Sequence, residues 1–277
     1  MQIQKLPFVV QTERVHLMVG LIAFTLPIWL MIVAALPQVP FMSSISHFYY
    51  TPIGGDILVG SLSTIGTIML IIYAVDNEAP GFRKWDVILA RLAGIAALGV
   101  AFFPTKGSGI LFEGEAARTL ISNAMDQSYY NQQGGSVEGT VSFELFALFG
   151  ITNDTIAKAH YISAGLLFLI LFYFSFFVFT RNQSEVSVLS DGGQTPQKVL
   201  RNRLYRGCGL MILVSVGALG LKLGLFKLGS NGLNIWDGYN ATFWAETLAL
   251  WAFGISWMIK GRIWKCFEDK EPHLVMP

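Results

Sequence analysis

Apolar residues along this chain come in long, nearly unbroken runs, separated by polar segments that hold most of the Lys, Arg and Pro. A helix needs about 20 apolar residues to cross a hydrocarbon core about 30 Å thick. Six runs approach or meet that length: residues 15–36, 57–75, 87–103, 160–180, 204–226 and 241–259. They predict an all-α, polytopic membrane protein, a six-transmembrane-helix bundle forming one domain over residues 1–277. The first run ends at Pro37-Gln38-Val39-Pro40, which is not a small-residue cleavage site, so it is expected to stay as a helix rather than leave as a signal peptide. Two connections are long. Residues 105–159 predict an extracytoplasmic loop between the third and fourth helices. Its short apolar pieces, 109–112 and 143–151, are expected to pack over the outer face of the bundle and partly cover it. Residues 181–203 read as a polar, flexible linker.

Composition agrees with that pattern. The chain is 53% hydrophobic and 13% charged, about half the charge of a soluble domain. A net charge of +1 gives no electrostatic footprint for nucleic acid. The basic residues are unevenly placed. Arg14, Arg83, Arg181, Lys198, Arg201, Arg206, Lys260 and Arg262 fall on one side of the six-helix arrangement, and the first loop of the other side has none. The bias puts both termini in the cytoplasm, with a plasma membrane or a bacterial inner membrane as the expected location. Ala90/Gly94, Ala93/Ala97 and Gly220/Gly224 have the spacing that lets membrane helices approach closely. The expected partners are membrane lipids and a membrane-protein partner or a second copy of the chain. Two cysteines, Cys208 and Cys266, cannot form a disulfide framework.

Ionisable groups in membrane helices need a reason to be there. Ser46, His47, Asp56, His160 and Glu246 all fall near the outer face and form a candidate lipid head-group site. Ser46 and His47 would orient the head group. His160, opening the fourth helix, and Glu246, the deepest carboxylate, would act as a coupled hydrogen-bonded or metal-binding centre. His47, His160 and Glu246 are the candidate metal ligands, suited to zinc. Such an ion with an open position for water would favour hydrolysis of a lipid ester or amide. On the inner side, Arg14, Arg91 and Arg206 are candidate contacts to cytoplasmic lipid phosphates.

Ser44-Ile45-Ser46 after the first helix, Ala159-His160 followed by Ser163, Ala164 and Gly165, Arg203 and Arg206 at the fifth, and Ala245-Glu246 between Trp244 and Trp251 form a further pattern. It resembles a broad family of six-helix membrane proteins that includes the damage-regulated autophagy modulators, a GPI-anchor lipid-remodelling protein and uncharacterised bacterial relatives. The resemblance covers the helices and not the long loop. His47 stands where that family tends to have Asp. It implies lipid-associated roles and hands over no catalytic mechanism. The expectation is therefore a membrane protein that binds or regulates lipids, with bound lipid as its ligand. A metal-dependent lipid hydrolase and a structural or channel subunit of a larger assembly are the alternatives.

Overall fold

The computed structural model describes residues 12–36, 39, 41–72, 81, 83–105, 153–227 and 232–269. The helices are α1 (Thr12–Ala34), α2 (Pro52–Thr67), α3 (Lys84–Phe102), α4 (Asn153–Tyr173), α5 (Pro196–Lys227), a short α6 (Gly232–Gly238) and α7 (Ala241–Lys260). Two of them continue as π turns, α2 over Ile68–Ile72 and α4 over Phe174–Val178. Among the described residues there is no strand, only an isolated bridge between Val188 and Gln194.

Among the described residues, five helical segments are long and apolar enough to cross a membrane: Thr12–Ala34, Ile53–Ile71, Lys84–Phe102, Thr155–Val178 and Pro196–Lys222. Their outward faces are apolar. Ile95, Ile162 and Val214 are 56%, 69% and 71% exposed, a surface that fits lipid and not water. The six long helices form a ring in which α1, α2, α3, α4 and α5 each pack on the next, and α7 closes the ring against α5 and α1.

Glycines set two of these contacts. A Cβ on Gly20 or on Gly254 would stand 2.8 Å from the other's carbonyl oxygen, so α1 and α7 touch backbone to backbone. Gly94 meets Gly66 of α2 in the same way, at 2.7 Å. The small-residue spacing at Ala90/Gly94 therefore marks a real close approach. Gly220 and Gly224 do not: a Cβ at either meets nothing within 4 Å.

Two helices, α4 and α5, start seven and eight residues before their apolar runs. In α5 the Thr195 hydroxyl accepts from the Lys198 N–H (3.2 Å) and Pro196 takes the first position, a capping arrangement that needs no apolar residue. The segment expected to be a flexible linker is thus folded. It holds a turn at Glu185–Ser187, the Val188–Gln194 bridge, a left-handed Gly192 (φ 84°) and the first two turns of α5. In α4 the helix begins at Asn153, so His160 lies two turns inside it and does not open it. Of the expected outer loop, residues 106–152 lie outside the described residues, and so does the packing expected of 109–112 and 143–151.

Candidate functional site

The α1–α2 connection supplies one wall of the site. Ser44 is extended (φ −147°, ψ 148°) and caps the 3-10 turn Ile45–Tyr50, its Oγ accepting from the Ser46 N–H at 3.1 Å. The same hydroxyl donates to Glu246, 2.9 Å from Oε2 and 3.1 Å from Oε1. The Ile45 N–H donates to Oε2 at 2.6 Å. Glu246, in the second turn of α7, therefore caps the N-terminal end of this turn, where otherwise unpaired N–H groups favour an anionic oxygen. The Phe243 N–H donates to the Ser43 carbonyl at 2.9 Å and fixes the start of α7 to the same segment.

The α4 side supplies His160, only 2% exposed. Its Nδ1 lies 2.6 Å from the Phe103 carbonyl and its Nε2 lies 2.9 Å from Ser46 Oγ. A carbonyl only accepts, so Nδ1 carries the proton; in the neutral ring Nε2 is then an acceptor and Ser46 O–H donates to it. Serine hydroxyl, imidazole and an orienting carbonyl stand in line, the relation of a nucleophile to its general base. Tyr50 O–H donates to the Thr105 carbonyl, and Thr105 Oγ1 donates to the Tyr161 hydroxyl at 3.0 Å, pinning this end of α3 between the turn and α4.

Below the cluster lies a cavity of about 40 Å³. Leu26, Leu62, Val100, Leu167 and Leu250 line it from five different helices, and Ser46 and Glu246 are its polar wall. The cavity thus has a polar wall and an apolar lining, with room for roughly three or four water-sized groups.

The sequence-based candidates divide. Ser46, His160 and Glu246 come together. His160 and Glu246 are linked through the Ser44–Ile45–Ser46 turn, since both imidazole nitrogens face other partners. His47 sits behind that turn, its Nδ1 3.1 Å from Ser43 Oγ. Burial, reinforced by the positive charge of Lys222 and by His160, pushes its pKa down to about 4, so the ring is neutral at pH 7. Asp56 is exposed near the start of α2 and does not line the cavity.

The zinc centre expected from His47, His160 and Glu246 does not assemble. Among the described residues no group of three His, Cys, Asp or Glu side chains is placed to hold a metal. The donor atoms are turned to Ser43, to Phe103 and Ser46, and to Ser44 and Ile45. At the opposite end, Arg14, Arg91 and Arg206 are exposed, and none of them lines the pocket between α4, α5 and α7.

Two members of the site were not foreseen. Ser44 carries a signal in its Ser-x-Ser setting, because serine is a preferred cap. The Phe103 carbonyl carries none: a backbone group 57 residues from its histidine is visible only in three dimensions. The fold and site together define a helical protein with five helices of membrane length among its described residues and a polar cluster at one end of the ring. No family model, curated protein or solved structure matches the chain.

Proposed function

We propose that this is a six-helix integral membrane protein with both termini in the cytoplasm, which binds the polar head of a membrane lipid at its outer end and regulates the lipid it holds. The observation that carries the reading is a polar cluster at the mouth of an apolar cavity between the helices. The sixth span is α7. It is 20 residues long and closes the ring, and its hydropathy is lowered by Glu246 and three tryptophans. The uneven Lys and Arg placement supports the orientation. The resemblance to six-helix proteins with lipid-associated roles points the same way.

A second reading rests on the Ser46–His160 hydrogen bond, and it is acyl transfer without a metal. Ser46 Oγ would attack a lipid ester carbonyl while its proton passes to His160 Nε2. The imidazolium would return that proton to the departing alkoxide. Water, activated in turn by His160, would release the acid and restore Ser46. One experiment separates the two. Lipid retained by the protein purified into nanodiscs is identified by mass spectrometry, and turnover of a diacyl lipid is followed alongside. Glu246→Gln and His160→Ala should each lose the bound lipid while remaining folded by circular dichroism. If Ser46→Ala keeps the lipid but stops turnover, the catalytic reading holds. Lipid binding unchanged in both Glu246→Gln and His160→Ala overturns the site.

A further inference from the structure

The end of the ring opposite this site gathers positive charge around a second pocket. About 60 Å³ in volume, it lies between the end of α4, the segment after it, the start of α5 and the end of α7, and its lining includes Ser187, Lys198, Arg201, Lys260 and Arg262. Two of the four cations have carboxylate partners. Arg201 Nη2 lies 2.6 Å from Asp269, whose other oxygen accepts from Thr195, and Arg262 Nε lies 3.1 Å from Glu13.

The two lysines are different. Lys198 is 4% exposed, and its Nζ donates to the carbonyls of Phe179 (3.0 Å) and Arg181 (2.7 Å). Lys260 Nζ donates to the side-chain oxygen of Gln183 and stands 6.0 Å from the centre of the Phe179 ring. Among the described residues, both ammonium groups meet only neutral oxygens. Lys260 is repelled by Lys198, Arg262 and Arg201 and attracted by Glu13; Lys198 is repelled by Arg201 and attracted by Asp269.

Charges held together in a pocket against their own repulsion need an anion to offset it. Four cations against two carboxylates, Asp269 and Glu13, leave two net positive charges, which match a dianion. The volume fits a few waters, at roughly 10–15 Å³ each, and so fits one tetrahedral oxyanion and not a nucleotide. Ser184, Ser187 and Gln183 add neutral polar groups to the wall. Val186 and Val188, which flank Ser187, and Ile263, which follows Arg262, are all exposed, so this end presents apolar side chains next to its cations.

We infer that the pocket lined by Lys198, Arg201, Lys260 and Arg262 binds a phosphate monoester dianion, carried by a lipid head group or by a small soluble phosphate. This site is separate from the outer one and does not depend on it.

The test uses the full chain in nanodiscs of phosphatidylcholine containing phosphatidic acid, phosphatidylglycerol or neither, with retained lipid counted by native mass spectrometry. In a parallel arm, inorganic phosphate is titrated into detergent-solubilised protein and thermal stability is read. Phosphatidic acid should be preferred over phosphatidylglycerol, which carries a phosphodiester with a single charge. Lys260→Gln should cut that preference about fivefold, the effect of roughly 1 kcal/mol for one lysine near a charged surface. Arg206→Gln, exposed on the outside of α5, should leave it unchanged. Stabilisation by inorganic phosphate that disappears in Lys260→Gln, without a phosphatidic acid preference, assigns the site to a soluble phosphate. Lys198→Gln removes a buried ammonium that braces two carbonyls, so Lys260→Gln remains the deciding variant if Lys198→Gln fails to fold. Equal losses in Lys260→Gln and Arg206→Gln, or no response to either probe, overturn the inference.

Discussion

The two ends of the helix ring solve the same problem, polar groups inside an apolar protein, by different physics. At the Ser46–Glu246 end one carboxylate, three serines and two histidines make hydrogen bonds, and the backbone donors to the carboxylate and to Ser44 Oγ come from a capped turn. At the opposite end two buried carboxylates, Asp86 and Asp269, are paired with arginines across the chain. Asp86, with no exposure, accepts from Arg181 at 2.5 Å, from the Tyr173 hydroxyl at 2.9 Å and from the Arg83 N–H at 2.6 Å. Asp269 draws together Ser187, Thr195 and Arg201. A hydrogen-bonded network can exchange partners with a ligand that replaces each bond it breaks. A buried ion pair cannot, because freeing one member leaves a charge alone. The ion pairs therefore hold α3, α4, α5 and the C-terminal segment together at their end of the ring.

The largest test of this contrast is Asp86→Ala. It leaves the Arg181 guanidinium, 19% exposed, without its carboxylate and should cost about 3–5 kcal/mol. Unfolding with a denaturing detergent in mixed micelles reads the loss. Adding Arg181→Leu should restore part of it, because no orphan charge then remains. A loss under about 1 kcal/mol in Asp86→Ala would place this pair with ordinary surface pairs and end the contrast.

Acid should separate the two ends by pH window. The His47 pKa is depressed to about 4 from 6.5 in the folded protein. The unfolded chain takes up that proton first, so the stability His47 contributes falls as pH drops from 6.5 toward 4. Lys222 and His160 disfavour its protonation and Asp237 favours it. His47→Gln should flatten the stability curve in that window. Asp269 behaves otherwise. Burial pushes its carboxyl up, but hydrogen bonds from Arg201, Thr195 and Ser187 outweigh burial and hold it below the usual 3.8. Its contribution is whole above 3.8 and is lost only as pH falls further. Asp269→Asn should leave the curve above pH 4 unchanged in shape. A change of slope between 6.5 and 4 in Asp269→Asn, and none in His47→Gln, would reverse the assignment.

The smallest effect is expected at the rim of the end that holds Asp86 and Asp269. Arg262 and Glu13 are 46% and 54% exposed, so Glu13→Ala should change stability by no more than about 0.5 kcal/mol. Salt at 0.5 M should erase even that difference and leave the Asp86 effect in place.

Much of the fold was legible in the chain because membrane length and apolarity are local properties. α1 and α7 fall within three residues of the runs that predicted them. α4 and α5 were misjudged at their N-terminal ends, where capping at Thr195–Pro196 and a polar first turn carry the helix beyond its apolar run. The same locality explains the glycines. Spacing along one helix marked Gly94 and Gly220 alike, and only the neighbouring helix distinguishes the packed position from the open one.

The candidate site shows the same division. Residue type and position along each helix were enough to choose Ser46, His160 and Glu246, because polar groups in such helices are costly and few. Whether they touched, and through what, depended on partners hundreds of residues apart in the chain. Ser44 reaches Glu246 across 202 positions and His160 reaches Ser46 across 114. The ring closure by α7 brings the first pair together, and the α3–α4 contact sets the second against Phe103. By itself the sequence determined where five helices of membrane length run and which polar side chains stand out among them. The tertiary structure alone decided which nitrogen of His160 carries its proton, why the expected zinc ligands are committed elsewhere, and where two lysines are forced together. Each of these depends on distances between helices, and no pattern along one helix encodes them.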